Sequence, residues 1–261
     1  MRFVKGHGTG NDFVILDDPS VELTADLVAR LCDRRFGIGG DGVLRVLPST
    51  GPAASWFMDY WNSDGSLSEM CGNGIRVFAR YLESTGRVEG DSVAIDTRDG
   101  VKTAHFDGDQ IRIDMGPARH LGHSAATLGG ADYTGRAISM GNPHLVCSVT
   151  DVAKLDLSAP FDYDRALFPH GVNLEFCQPD VALGEPSAYR RMRVIERGSG
   201  ETLSCGTGAC AVGAAALAEA GLHTGTVKVD VPGGRLTITI DESTCWLTGP
   251  AVLTFTGEIT L

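Results

Sequence analysis

The chain has 261 residues, long enough for one large domain or two small ones. Its 22 basic and 33 acidic residues leave a formal net charge of -11, which argues against a nucleic-acid partner or an anionic membrane surface. With 43% hydrophobic and 21% charged residues it is composed as a soluble globular protein. Its opening stretch Met1-Arg2-Phe3-Val4-Lys5 lacks a signal-peptide core, and no apolar run approaches the roughly 18 residues that span a bilayer. The cytoplasm is therefore the expected location, with no membrane partner.

In chain order, Phe3–Val4 and Phe13–Leu16 read as strands. Thr24 to Arg34 reads as a helix with Thr24 as N-cap and Leu27, Val28 and Leu31 on one face. Val43–Leu47 and Trp56–Trp61 read as extended. A helix is expected from Gly72 to about Ser84, stopped before Gly86. Ser92–Asp96, Val101–Phe106 and Ile111–Met115 follow as strands, with turns at Asp99-Gly100 and Asp107-Gly108. The second half repeats this order. Strands are expected at Leu145–Val149, Val172–Phe176 and Tyr189–Ile195, then a helix from Gly206 to about Ala220, stopped by Gly221. Val227–Val231, Leu236–Ile240 and Cys245–Leu247 close the series.

The repeat can be tested by offsets. Asn62 and Cys71 map to Glu196 and Cys205 at +134, and Met70-Cys71-Gly72-Asn73-Gly74 maps onto Ser204-Cys205-Gly206-Thr207-Gly208 without a gap. Gly10-Asn11 maps to Gly141-Asn142, and Gly42 to Asn173, both at +131. Chance matching of glycine-rich loops is the plain alternative. The helix from Ala209 to Ala220 is apolar almost all round and should be buried. The first helix carries Arg76 and Arg80 and should be buried less completely. The expected fold is α+β (mixed), with two pseudo-symmetric domains. Each is a largely antiparallel, β-barrel-like sheet wrapped round a central helix. The first domain is expected over 1–116, with 250–261 returning to it, and the second over 117–249.

There are seven cysteines, with no Cys-x-x-Cys pair and no zinc spacing. Cys32, Cys147, Cys177, Cys210 and Cys245 read as buried small apolar groups. Cys71 and Cys205 differ, because each stands just before a helix start. There the partial positive charge of the free N–H groups favours a thiolate, and the glycines behind let a carboxylate approach the backbone. A single such site reads equally well as a capped helix with a buried thiol. Two, one per repeat, supply what inversion of a stereocentre needs: a base on one face of a carbon and an acid on the other. The glycine run Gly37-Ile38-Gly39-Gly40-Asp41-Gly42 fits a dinucleotide fingerprint in letters only. Its helix precedes it and a strand follows, the reverse of the required order.

The residues now carry a resemblance. Gly6-His7-Gly8-Thr9-Gly10-Asn11-Asp12-Phe13, Asn62-Ser63-Asp64-Gly65-Ser66 with Met70-Cys71-Gly72-Asn73-Gly74, Gly141-Asn142-Pro143-His144, Gly171-Val172-Asn173, and Glu196-Arg197-Gly198 with Ser204-Cys205-Gly206-Thr207-Gly208 look like the diaminopimelate epimerase family, in the family's order. The resemblance implies interconversion of LL- and meso-diaminopimelate in lysine and peptidoglycan biosynthesis, without pyridoxal phosphate, metal or other cofactor. It also implies a homodimer. It makes Cys71 and Cys205 the catalytic base and acid, with Glu196 and His144 supporting them. Gly72 with Asn73 and Gly206 with Thr207 match the positions that hold the α-carboxylate. Asn11, Asn62, Asn142, Asn173, Glu196 and Arg197 match other substrate-holding positions. Read alone, Asn11, Asn142 and Asn173 are equally turn residues, Arg197 a surface ion-pair former and His144 a core histidine. Thr9 and Gly42 depart from the family pattern. Many members carry a substrate-contacting Gln where Gly42 stands. A proline or hydroxyproline racemase-type enzyme is the nearest rival, though such enzymes carry His where Asn73 stands. A phenazine-biosynthesis-like isomerase and a thiol-redox sensor are further alternatives.

Overall fold

The computed structural model of the protein describes residues 1–180 and 188–260. It divides into two compact units, Met1–Asp114 with Gly249–Leu261, and Met115–Thr248.

In unit 1, β1 (Arg2–Gly8) and β2 (Asn11–Leu16) form a hairpin over Thr9-Gly10. Both turn residues have positive φ, 51° and 83°, the geometry whose twist matches paired strands. α1 (Ala25–Cys32) starts at Thr24, whose hydroxyl accepts from the Leu27 N–H at 3.3 Å, and buries Val28, Leu31 and Cys32. β3 (Gly42–Pro48) runs parallel to β2, and β4 (Trp56–Asn62) antiparallel to β3. α2 (Gly72–Ser84) follows. β5 (Ser92–Thr97) runs parallel to β4, and β6 (Gly100–Asp107) and β7 (Gln110–Asp114) complete an antiparallel meander. The strand Val252–Glu258 comes back to pair antiparallel with β1. α2 touches β1, β2, β4, β6, β7 and this returning strand, so it is the central helix of the unit. Burying Ile75, Val77, Phe78 and Leu82 contributes roughly 1.5–3 kcal/mol each.

Unit 2 opens on a long hairpin, β8 (Arg119–Leu128) and β9 (Ala131–Ser139), over Gly129-Gly130. β10 (Pro143–Ser148) runs antiparallel to β9. A short strand, β11 (Phe161–Tyr163), pairs with β8. β12 (Asn173–Pro179) is parallel to β10, and β13 (Tyr189–Glu196) antiparallel to β12, with the short β14 (Gly200–Thr202) beside it. After α3 (Gly206–Glu219), β15 (Gly225–Val231) pairs parallel with β13. β16 (Gly234–Ile240) and β17 (Cys245–Pro250) finish the meander, which leaves Val252–Glu258 as β18. α3 touches β9, β10, β12, β13, β15 and β16.

The two units share one register. Phe13 pairs with Gly42 and His144 with Asn173, each partner shifted by 131 residues. Trp56 pairs with Ile95 and Arg190 with Val229; Ala104 pairs with Ile113 and Ile238 with Leu247, all shifted by 134. Both central helices end on a glycine at φ 71°, Gly86 and Gly221, a left-handed stop. Arg76 corrects one expectation. It is fully buried, because its guanidinium donates to the Gly72 carbonyl and the Asn73 Oδ1, each at 2.9 Å, and α2 is buried as thoroughly as α3. No helix among the described residues is long and apolar enough to cross a membrane.

Candidate active site

The candidate residues fall into two groups, one at the start of each central helix. In unit 1, Cys71 is the N-cap of α2, and its Sγ accepts from the Gly74 N–H at 3.4 Å. Its thiol in turn lies 3.6 Å from the Asn11 Oδ1, which also accepts from the Asn73 amide at 3.2 Å. Asn73 is buried, with its own Oδ1 held by Arg76. The Asn11 amide is oriented from behind by Asp41, whose Oδ2 accepts from Asn11 Nδ2 at 2.7 Å and from the Asp12 N–H at 3.1 Å. Arg34 bridges Asp41 and Asp12, and Lys5 reaches Asp12 at 2.7 Å. Burial alone would raise the Asp12 carboxyl, but Arg34 and Lys5 outweigh it and bring it down to about 2. The hairpin turn at Thr9-Gly10 places Asn11 at the head of β2, so a local turn and a set of ion pairs aim one carboxamide at one thiol.

Asn62 stands at the end of β4 and donates to the Ser66 Oγ at 3.0 Å, within the loop that leads to Cys71. Gly42 sits opposite Asn62 in the β3–β4 ladder. A Cβ there would come within 2.5 Å of the Trp61 carbonyl and 2.7 Å of the Tyr60 ring, so packing leaves no room for a side chain. The glycine loop before it carries no cofactor-binding order. α1 precedes it and β3 follows, and its Asp41 is the anchor of Asn11.

In unit 2, Cys205 is the N-cap of α3, and its Sγ accepts from the Gly208 N–H at 3.3 Å. The Thr207 hydroxyl lies 3.5 Å from the same sulfur. Asn142 donates to Thr207 Oγ1 at 3.3 Å, and its Oδ1 meets His144 Nε2 at 2.9 Å. His144 Nδ1 meets Glu175 Oε1 at 2.7 Å, with both side chains fully buried. Glu196 accepts from the Thr202 hydroxyl. Burial pushes the Cys205 thiol well above its ordinary range, and the charge of Glu196 pushes the same way. This reverses the expectation of an acidified thiol here, since desolvation and a nearby carboxylate outweigh one helix terminus. Asn173 spends its side chain on backbone, donating to the Pro143 carbonyl at 3.1 Å and accepting from the Arg197 N–H at 2.9 Å. The Arg197 side chain is exposed and donates to the His170 carbonyl at 3.3 Å.

Sequence reading missed Asp41, Arg34, Lys5 and Glu175. Asp41 was hidden inside a glycine motif. Glu175 did leave a signal, as an acid between Leu174 and Phe176 in an otherwise apolar strand. The other five cysteines are buried, and burial holds Cys32, Cys147 and Cys177 at about 12. No cluster of three or more His, Cys, Asp or Glu side chains among the described residues is placed to hold a metal ion.

Two like units, each built round a central helix, make a two-domain fold that solved structures share. A PhzF-family phenazine biosynthesis protein from Bacillus anthracis matches all of this chain and 99% of its own, with a TM-score of 0.74 at 17% identity. A hydroxyproline epimerase from Agrobacterium vitis, solved with trans-4-hydroxy-L-proline, matches 98% of this chain and 91% of its own at 0.68 and 15%. At these identities the likeness speaks for the fold alone. The family profile described as Diaminopimelate epimerase matches residues 3–121 and again 136–254. Diaminopimelate epimerases of Mycolicibacterium smegmatis and Rhodococcus opacus are each 45% identical over 99% of this chain and 97% of their own. The chain belongs to the diaminopimelate epimerase family and is an enzyme of the epimerase class.

Proposed function

We propose that the protein interconverts LL- and meso-2,6-diaminopimelate by a cofactor-independent, two-base exchange at one α-carbon, with Cys71 as base and Cys205 as acid. The observation that carries this is the shared cap geometry: each Sγ accepts from the N–H three residues on, at 3.4 and 3.3 Å, at equivalent places in the repeat. In the forward step the Cys71 thiolate takes the α-proton and becomes a thiol. The Cys205 thiol delivers its proton to the other face and becomes a thiolate. The substrate leaves with inverted configuration, and solvent exchange restores the starting protonation.

An α-proton of an amino acid is weakly acidic, so developing negative charge has to be met by fixed dipoles. The backbone N–H groups of Gly72 and Asn73, and of Gly206 and Thr207, stand in the first turns of α2 and α3 and suit an α-carboxylate. Asn11, Asn62, Asn142 and Arg197 offer polar groups for the second amino-acid end, which diaminopimelate has and proline lacks, and Asn173 holds the Pro143 and Arg197 backbone beside them. His144 and Glu196 support the acid side. The raised Cys205 thiol suits a proton donor, because it holds its proton until the carbanion forms.

The test is deuterium incorporation from deuterated water without added cofactor. Exchange into LL-diaminopimelate but not L-proline is the expected result. Cys71→Ser and Cys205→Ser should each abolish turnover; full epimerisation in either variant would sink the thiol-pair mechanism. The product serves lysine and peptidoglycan synthesis, which places the enzyme in the cytoplasm. We further assign the protein as a homodimer. Light scattering should then give twice the 27.6 kDa chain mass.

A further inference from the structure

The duplication provides an internal control for the wall behind each cysteine. Behind Cys71, the first turn of α2 packs on two apolar side chains: an added Cβ at Gly74 would meet Phe13 at 3.4 Å and Leu44 at 3.5 Å. The positions 131 residues later are His144 and Glu175, in the same register of the same strand pair. Behind Cys205 the corresponding Cβ at Gly208 would come 2.7 Å from Glu175 Oε1. Unit 1 therefore folds with Phe and Leu where unit 2 buries His and Glu. A fully buried polar pair is expensive to desolvate, and this architecture does not require one.

The pair feeds an unbroken chain of hydrogen bonds. Glu175 Oε1 meets His144 Nδ1, His144 Nε2 meets Asn142 Oδ1, Asn142 Nδ2 donates to Thr207 Oγ1, and Thr207 Oγ1 meets Cys205 Sγ. Asn142 gives its amide N–H to Thr207, so its Oδ1 can accept from His144 only in the tautomer whose Nε2 carries the proton. Thr207 accepts from Asn142, so its own hydroxyl proton is free for the sulfur. Every donor points toward Cys205. At the other end, Glu175 Oε2 is buried and has no hydrogen-bond partner among the described residues. A bare ionised oxygen there would be far more costly than a neutral carbonyl oxygen. That favours a carboxylic acid that donates from Oε1 to Nδ1.

We propose that Glu175 is a positioning residue for the acid half of the reaction: as a neutral carboxyl it donates to His144 Nδ1, and so fixes the Nε2–H tautomer that drives the relay to Cys205. Burial raises the Glu175 carboxyl, with Glu196 adding to it against the opposing pull of His144. The relay supplies a donor that steadies the sulfur once its proton has left, while burial keeps that proton in place beforehand.

This inference rests on the proposed exchange at Cys205, and two readouts separate its failure from that of the reaction. The first is steady-state kinetics of Glu175→Leu, of the double variant His144→Phe/Glu175→Leu that copies unit 1, and of Glu175→Gln. Both apolar variants should lower kcat by about 10²-fold, the low end of what a placed acid–base group contributes, with KM changed less than about threefold. Glu175→Gln should restore kcat to within about threefold of wild type, because its amide N–H can donate to Nδ1. The second is imidazole 15N NMR of resting wild type, Glu175→Gln and Glu175→Leu, with the His144 signal assigned from His144→Phe. The Nε2–H form should dominate in the first two and be lost in Glu175→Leu. Wild-type kcat in Glu175→Leu, loss of activity in Glu175→Gln, or an unchanged tautomer in Glu175→Leu would each overturn the proposal. A wild-type protein that exchanges no α-hydrogen would refute the function, and the NMR arm would still decide the role of Glu175.

Discussion

Asp12 shows how much structure stands behind the single contact between Asn11 and Cys71. Its carboxyl is shared between Lys5 and Arg34, and through Arg34 and Asp41 it fixes the carboxamide that faces Cys71. The folded carboxyl titrates at about 2 against an ordinary 3.8. Its stabilisation is therefore complete above about pH 4 and drains away as pH falls from about 4 to about 2. Asp12→Asn should cost roughly 1–2 kcal/mol in urea denaturation at pH 7, after discounting for solvent at the half-exposed Arg34. The gap to wild type should close near pH 2; a gap independent of pH would contradict this. None of this support was legible in the sequence. Asn11 and Cys71 could be named from their motifs, but Lys5, Arg34 and Asp41 come from three separate segments that only the β1–β2–β3 pairing brings together.

At the scale of elements, the two helix starts look alike in sequence and differ in tolerance. A methyl at Gly74 would make ordinary contacts at 3.4–3.5 Å, whereas one at Gly208 would strike Glu175 Oε1 at 2.7 Å and Cys205 Cβ at 3.2 Å. Gly74→Ala should therefore be neutral or raise the melting temperature, since alanine favours the helix by up to about 1 kcal/mol. Gly208→Ala should lower it and impair turnover. Equal responses in thermal unfolding would refute the difference. Both helices and the strands flanking them were legible, because caps, glycine stops and apolar runs coincide there. The β8–β9 hairpin was not. Arg119–Leu128 is rich in small and polar residues and mostly exposed, so it shows no alternation and forms through pairing with its neighbour. Arg76 misled for a related reason: a charge on a helix reads as a solvent face, but here backbone and amide oxygens satisfy it inside the unit.

For the molecule as a whole, the repeat was readable from offsets because duplication preserved spacing around the cysteines, and the strand registers carry the same offsets. β18 was harder to foresee, since its partner lies at the other end of the chain: Arg2 pairs with Glu258 and His7 with Val252. Its sequence says strand, and nothing local says with what. Removing residues 252–261 would strip β1 of its neighbour and leave Phe3 without its edge-on contact with Phe255. The truncated protein should lose hydrogen-exchange protection across β1, β2 and α2 while the amides of α3 and β15 stay protected. Uniform loss across both units would show instead that they unfold as one.

The return of β18 to β1 also sets an order of events during synthesis. A ribosome delivers β1 early, yet the strand that closes unit 1 emerges only after all of unit 2 has been translated. The usual sequence, in which the N-terminal domain matures first, is inverted. Unit 2 has every strand it needs while the nascent unit 1 still presents an open edge, the kind of surface that pairs with the wrong partner. That edge carries the exposed Arg2. A charged edge residue of this kind discourages stray pairing, so some protection of the growing chain is written into the same strand that waits for its mate.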